Sequence, residues 1–140
     1  MQFISSDCLH LNRFYKDNKD KARAKPDDLM FAALDEQQHT CSVLRLLPYK
    51  DFLFLRSVVT KPEQRGKGIA SALIRHAIQA QANNNQAMPI YTLPTPLALP
   101  IYQRLGFKPV EPSQVPAELL ASYRRFRQSH SGPTVMVIHP

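Results

Sequence analysis

The stretch that decides the fold runs from Leu53 to Gln79 and reads LFLRSVVTKPEQRGKGIASALIRHAIQ. Its first part is apolar and partly β-branched, as in a buried strand. Pro62 ends that strand, because proline cannot donate to a sheet ladder. From Ile69 onward the apolar residues recur at the spacing of one helical face. The stretch therefore predicts a strand, a tight basic loop and a helix.

The loop in this stretch, Gln64 to Gly68, has a composition that favours an anion. The first N–H groups of a helix have no partner inside the helix, and the helix dipole adds partial positive charge there. Gly66 and Gly68 let an anionic group approach the backbone, and Arg65 and Lys67 add positive charge. The same residues also fit an ordinary turn with solvated cations, so composition alone leaves both interpretations open.

Two common phosphate-binding patterns do not match this loop. The Walker A pattern requires Ser or Thr after Gly-Lys, but Gly68 follows Lys67. The dinucleotide pattern GxGxxG requires a third glycine, and Ser71 stands at that position. If this loop binds phosphate, it therefore belongs to a different class of phosphate-binding loop.

A third pattern matches at each fixed position. Residues 65–70, RGKGIA, fit [QR]xxGx[GA], the acyl-CoA loop of the GNAT acetyltransferases. Downstream, residues 98–107, ALPIYQRLGF, resemble the second GNAT signature, AxxxYxxxGF. The two motifs occur in the order and at about the separation found in that family. The chain thus resembles a GNAT N-acetyltransferase from about Leu29 to Val110.

The resemblance implies an α+β (α/β/α) fold with a mixed, mostly antiparallel sheet and a splayed parallel pair of central strands. The length of 140 residues suits a single domain, so we expect one N-acetyltransferase domain over residues 1–140. Besides the central stretch, apolar patterning predicts strands at Gln2–Ser5, Leu29–Leu34, Thr40–Leu47, Pro89–Leu93 and Thr134–Ile138, and helices at Asp7–Asp17, from about Ala98, and after Pro116. The run Asn83 to Asn85 is a candidate left-handed cap, and 129–133 a turn.

The resemblance also implies where acetyl-CoA, the expected cosubstrate, binds. It would lie in the gap between the central strand and the strand at 90–93. Backbone groups of Val58, Val59 and Thr60 would pair with the pantetheine arm. The pyrophosphate would be held by the N–H groups of Arg65, Gly66, Lys67, Gly68, Ile69 and Ala70.

Tyr102 matches the family tyrosine that gives a proton to the departing thiolate. Tyrosine is a plausible acid, although a half-buried aromatic with its hydroxyl at the rim is the alternative. The family's histone-type members carry a glutamate base in the first half of the central strand. Phe52 to Leu55 holds no carboxylate, which argues against that arrangement and leaves the base unassigned.

Arg56 is the candidate substrate-binding residue. It shares a predicted strand face with Phe54 and Val58, and a charge buried in an apolar strand is costly unless it is paired. It either meets a structural carboxylate or binds a substrate carboxylate in a bidentate manner. The segment 55–59 is loosely similar to amino-acid-acetylating GNATs of the N-acetylglutamate synthase kind. An amino-acid-like acceptor is therefore a hypothesis.

The composition and the motifs of the chain limit which kinds of partner and compartment we expect. The net charge is +7, yet the cations are spread along the chain and no nucleic-acid motif is present, so we expect no nucleic-acid partner. No apolar run approaches a membrane span, and the N-terminus lacks a secretory pattern. Cys8 and Cys41 suit a reducing compartment and lack the neighbours of a metal site. We expect a cytoplasmic protein without a metal or membrane partner.

The preferred interpretation is an enzyme that acetylates a primary amine of a small molecule. The alternatives are a GNAT-fold module that binds CoA without turnover, an enzyme that acetylates proteins, and a basic nucleic-acid binder. A homodimer is also an expectation, because final strands of this fold often pair or exchange between subunits.

Overall fold

Seven strands form one mixed sheet in the computed structural model, which describes residues 1–84, 87–129 and 134–140. The strands are β1 (Gln2–Ser5), β2 (Leu29–Leu34), β3 (Thr40–Pro48), β4 (Leu53–Thr60), β5 (Ile90–Thr92), β6 (Lys108–Val110) and β7 (Val135–Ile138). The helices are α1 (Cys8–Asp17), α2 (Ile69–Ala82), α3 (Leu99–Leu105) and α4 (Leu120–Ser129). In these ranges no helix has the length and apolarity that a membrane span requires.

The strand order is β1-β2-β3-β4-β5-β7-β6. The first four strands form an antiparallel meander, and β4 and β5 are the parallel pair, joined by α2. Strand β7 runs antiparallel to both β5 and β6 and separates them. The expected α+β architecture with one parallel central pair is confirmed.

Helices cover both faces of the sheet, because the alternating residues of each strand point to opposite sides. On β2, Phe31 and Ala33 belong to the cluster that α2 covers, whereas Met30 and Ala32 belong to the cluster that α1 covers. Helix α4 packs through Leu120 and Tyr123 on a third cluster with the buried Phe52 and Phe54. The strands are therefore apolar on both sides where the layers overlap.

Local sequence signals set most helix ends. The Asp7 carboxylate caps α1 by accepting a hydrogen bond from the backbone N–H of His10 at 2.9 Å. Pro100 lies in the first turn of α3, where its missing N–H costs no helical hydrogen bond.

The left-handed cap expected after α2 is wrong for Asn83, which is right-handed with φ of −80°. Asn85 and 130–133 of the predicted turn lie outside the described residues.

Strand β4 contains a β-bulge that the sequence pattern does not reveal. Val43 of β3 faces Val59, but Arg45 faces Arg56, so β4 has one extra residue in this interval. Ser57 takes up that residue with a φ of 57°, which is unfavourable for serine. The predicted two-residue alternation, which placed Val58 on the same face as Phe54 and Arg56, is therefore wrong beyond Arg56. Pairing between β4 and β5 stops at the same level, after Leu55.

A buried polar network holds the bulge. The Tyr15 hydroxyl on α1 donates to the Ser57 carbonyl at 2.8 Å, and the Arg45 guanidinium donates to the Ser57 hydroxyl at 3.4 Å. Arg45 also forms an ion pair with Asp28 at 3.0 Å and donates to the Arg23 carbonyl at 2.9 Å. Burial raises the pKa of Tyr15, so its hydroxyl keeps the proton that it donates.

We predict that Asp28→Asn will lower the free energy of unfolding by about 3 kcal/mol, because it leaves the buried Arg45 charge without its counter-ion. The measurement is urea denaturation followed by circular dichroism. The matched control is Asp27→Asn, since Asp27 is exposed and its loss should cost less than about 0.5 kcal/mol. Equal stability of the two variants would contradict the role given to the ion pair.

Candidate active site

A cleft opens where β4 and β5 diverge, and its volume is about 590 Å³. This volume lies within the usual range for small-molecule sites. One part of the wall comes from β4, β5, the first turns of α2, and α3. The other part comes from the loop after α1 and from α4. The bulge at Ser57 creates the opening, because it ends the β4–β5 pairing.

The loop between β4 and α2 presents a row of free backbone donors. Within the described residues, no hydrogen bond uses the N–H groups from Gly66 to Ser71. Gly66 and Gly68 have φ of +79° and +77°, and a Cβ added at either position would meet nothing within 4 Å. Glycine is therefore required here by backbone conformation, while the space above the loop stays open for an anion.

The two cations of the loop lie along its sides. The Arg65 Nε donates to the Thr60 carbonyl at 3.2 Å, which ties the loop to the end of β4. The Lys67 ammonium donates to the Gln64 side chain at 3.2 Å. Neither side chain plugs the row of amides, and both add positive charge beside it.

Tyr102 is buried, with 7% exposure, yet it lines the cleft. Its ring meets Phe107 edge-on at 5.3 Å between centroids. Burial raises the pKa of Tyr102, and the hydroxyl of Thr92 offsets part of that rise. The phenol therefore carries its proton at neutral pH, as a hydrogen-bond donor or an acid must. Tyr102, which the sequence motif identifies, therefore lines the same cleft as the edge of β4.

Arg56 is exposed to the cleft instead of buried in the strand, and its guanidinium lies over the Phe54 ring at 5.8 Å. No carboxylate of the described residues pairs with it. Partial burial lowers the pKa of Arg56, and the nearby charges of Arg45 and Arg125 lower it further. The structural-carboxylate alternative does not hold for the described residues.

Sequence reasoning did not select several polar residues that line the cleft, and three of them come from elements outside the central strands, α2 and α3. They are Asp20 in the loop after α1, and Ser122 and Arg125 on α4. Asp20 lies in a polar segment with several similar charges, and Arg125 in a run of arginines. No local signal distinguishes them, because only the tertiary fold brings these distant segments to the same opening.

The family model for the Acetyltransferase (GNAT) domain matches residues 26–109, more than half of the chain. The chain belongs to the GNAT acetyltransferase family. It is therefore an acyltransferase, and the family uses acetyl-CoA as cosubstrate. Comparison with curated protein sequences gives no significant match.

Solved GNAT-fold structures are similar at low sequence identity. The ribosomal-protein-S18-alanine N-acetyltransferase from Escherichia coli has a TM-score of 0.70 at 15% identity, with 99% of this chain and 92% of that chain covered. A spermidine N-acetyltransferase SpeG chimera from Vibrio cholerae and hSSAT has 0.70 at 17%, covering 99% and 96%. Rv2747 from Mycobacterium tuberculosis, in complex with CoA and NLQ, has 0.61 at 20%, covering 79% and 75%. These likenesses support the fold.

We predict that Gly68→Ala will weaken CoA binding by this GNAT protein about tenfold, because alanine disfavours φ of +77° and shifts the neighbouring amides. Isothermal titration with CoA measures the change. Gly106→Ala is the matched control: it also has a positive φ of +102°, but it lies after α3 and away from the loop. The control should lose stability and keep its CoA affinity. Equal losses of affinity in both variants would contradict the prediction.

Proposed function

We propose that residues 1–140 form a single acetyl-CoA-dependent N-acetyltransferase domain that acetylates a primary amine of a small molecule by direct transfer. The observation that carries the proposal is the row of unpaired N–H groups from Gly66 to Ser71 beside the cleft that Tyr102 lines. An anion-binding helix start, an open cleft and a protonated phenol supply the parts that acyl transfer to an amine needs.

The loop would hold the pyrophosphate of acetyl-CoA through the amides of Gly66, Lys67, Gly68, Ile69 and Ala70. The expectation that the Arg65 amide takes part is wrong, because the Arg65 N–H already donates to the Pro62 carbonyl at 3.3 Å. Support comes from the open space above the two glycines and from the positive charge of Arg65 and Lys67. Beyond Leu55, β4 no longer pairs with β5, so the strand edge along Val58, Val59 and Thr60 is open to the pantetheine arm, although the carbonyls of Val59 and Thr60 already accept from Ser42 and Arg65. When bound, acetyl-CoA supplies an acetyl thioester to the amine.

Tyr102 would act as the acid that protonates the leaving sulfur. Its raised pKa keeps the proton on the phenol until a strong base develops nearby. Burial excludes water from most of the ring, and the contact with Phe107 restricts the movement of the ring. If Tyr102 is the acid, removing its hydroxyl should lower the rate of acetyl transfer and leave the binding of CoA unchanged.

The acceptor that we propose is small and amino-acid-like, with Arg56 as a binding residue. Arg56 supports this because its charge faces the cleft without a described carboxylate partner. The loop after α1 and helix α4 wall the opening, which favours a small acceptor over a protein segment. The cytoplasmic setting, the homodimer and the absence of nucleic-acid and membrane partners stay predictions.

We predict that Tyr102→Phe will lower kcat about 100-fold and leave CoA affinity unchanged, because it removes the proton-donating hydroxyl and no backbone contact. The rate is followed as thiol release with acetyl-CoA and a panel of primary amines. Affinity is followed by thermal shift, where ligand at 100 times Kd should add about 2.7 kcal/mol. Tyr91→Phe is the control, since Tyr91 lies on β5 beside Phe52 and does not line the cleft.

The same experiment separates the alternatives. CoA binding without transfer to any amine would indicate a non-catalytic CoA-binding module. Transfer to peptide N-termini or lysines and to no small amine would indicate an enzyme that acetylates proteins. A normal rate in Tyr102→Phe would remove the acid role from this tyrosine.

A further inference from the structure

Asp20 brings a carboxylate to the cleft from the loop after α1. Its N–H donates to the Tyr15 carbonyl at 2.9 Å, and its Oδ1 accepts from the Ala22 N–H at 2.8 Å. These two bonds fix the turn and leave the second carboxylate oxygen free. Among the described residues, Asp20 is the only acidic group that lines the cleft, and no described cation pairs with it.

Two guanidinium groups line the same cleft. Arg56 comes from β4, next to the bulge, and Arg125 comes from the second turn of α4, where it donates to the Ser122 hydroxyl at 3.3 Å. Neither has a described carboxylate partner. Like charges gathered at one opening repel each other, so an anionic group bound between them relieves that repulsion.

Resting on the acetyl-transfer function proposed above, we infer that Asp20, Arg56 and Arg125 form an acceptor subsite for a zwitterion, an α-amino acid or a similar small amino-carboxylate. The two guanidiniums bind the carboxylate of the acceptor, and Asp20 binds its ammonium. A polycation such as a polyamine would be repelled by Arg56 and Arg125. A neutral amine would leave both guanidiniums without a counter-charge.

The subsite also gives the ammonium a route for its proton. Asp20 takes one proton from the ammonium and, because it is exposed, releases it to water. The nitrogen lone pair then forms the amide C–N bond while the thioester C–S bond breaks, and the electron pair leaves with sulfur. The sulfur takes a proton from Tyr102, which recovers one through solvent from the nitrogen. One proton is released for each amide formed.

The test compares free amino acids with their methyl esters and with spermidine, using acetyl-CoA and thiol release. The esters keep the amine and lose the carboxylate charge. For the unaltered chain we expect kcat/KM for the best amino acid to exceed that for its ester at least about tenfold, with the difference in KM. Spermidine should be acetylated more slowly than that amino acid.

Two variants with matched controls test the residues. Arg125→Gln should raise KM for the amino acid about tenfold and leave KM for its ester unchanged, whereas its neighbour Arg124→Gln should change neither. Asp20→Asn keeps the acceptor for the Ala22 N–H and should raise KM and lower kcat for amino acid and ester alike, because it removes both the counter-charge and the proton acceptor of the ammonium. Asp17→Asn is its control, because Asp17 is exposed and does not line the cleft.

Thermal unfolding of each variant checks that it is folded. Equal kcat/KM for amino acid and ester, or Arg125→Gln behaving like Arg124→Gln, would overturn the zwitterion subsite while the proposed acetyl transfer stands. Preferred acetylation of spermidine would overturn it too. Failure to bind acetyl-CoA, or to acetylate any amine in the panel, would overturn the proposed function and the subsite together.

Discussion

One extra residue in β4 is the constraint on which the cleft depends. The extra residue, Ser57, lies between the two stretches of β4 that pair regularly with β3, and it bends the strand there. Pairing of β4 with β5 ends next to it, after Leu55, which exposes a backbone edge. A serine with φ of 57° is unfavourable by itself, so the surroundings have to stabilise it. Tyr15 and Arg45 do so from α1 and β3, by binding its carbonyl and its hydroxyl. The opening is thus part of the folded core and not a loop arrangement that forms only with ligand.

Two arginines that are paired between β3 and β4, beside the bulge, have different roles: Arg45 stabilises the fold, and Arg56 adds charge to the cleft. Arg45 is buried, and Asp28 satisfies its charge in a low-dielectric setting. Arg56, directly opposite, is exposed to the cleft and has only the Phe54 ring beneath it. Breaking the first pair affects folding. We expect a change of Arg56 to leave the fold intact and to alter the charge of the cleft.

Much of this arrangement follows from local sequence. The strand, the glycine loop and the helix start each have a local cause, and Pro62, Pro100 and Gly106 mark real boundaries. The bulge was not predicted, because a two-residue period gives no sign of an inserted residue. The error affected Val58, which packs in the cluster of Leu55 and not on the face of Phe54 and Arg56. The cap expected at Asn83 was wrong because asparagine permits the left-handed region without requiring it. Asp20 and Arg125 could not be predicted as cleft residues, because each is tens of residues from β4 in sequence and lines the cleft only through the tertiary fold.

The position of β7 between β5 and β6 has a consequence for biosynthesis. When residues 1–110 have left the ribosome, β6 has no neighbouring strand, and β5 has a bare edge on the side away from β4. The sheet becomes complete only after residues 135–138 emerge. Until then the nascent chain offers an unpaired strand edge to other chains, which is a route to aggregation during translation.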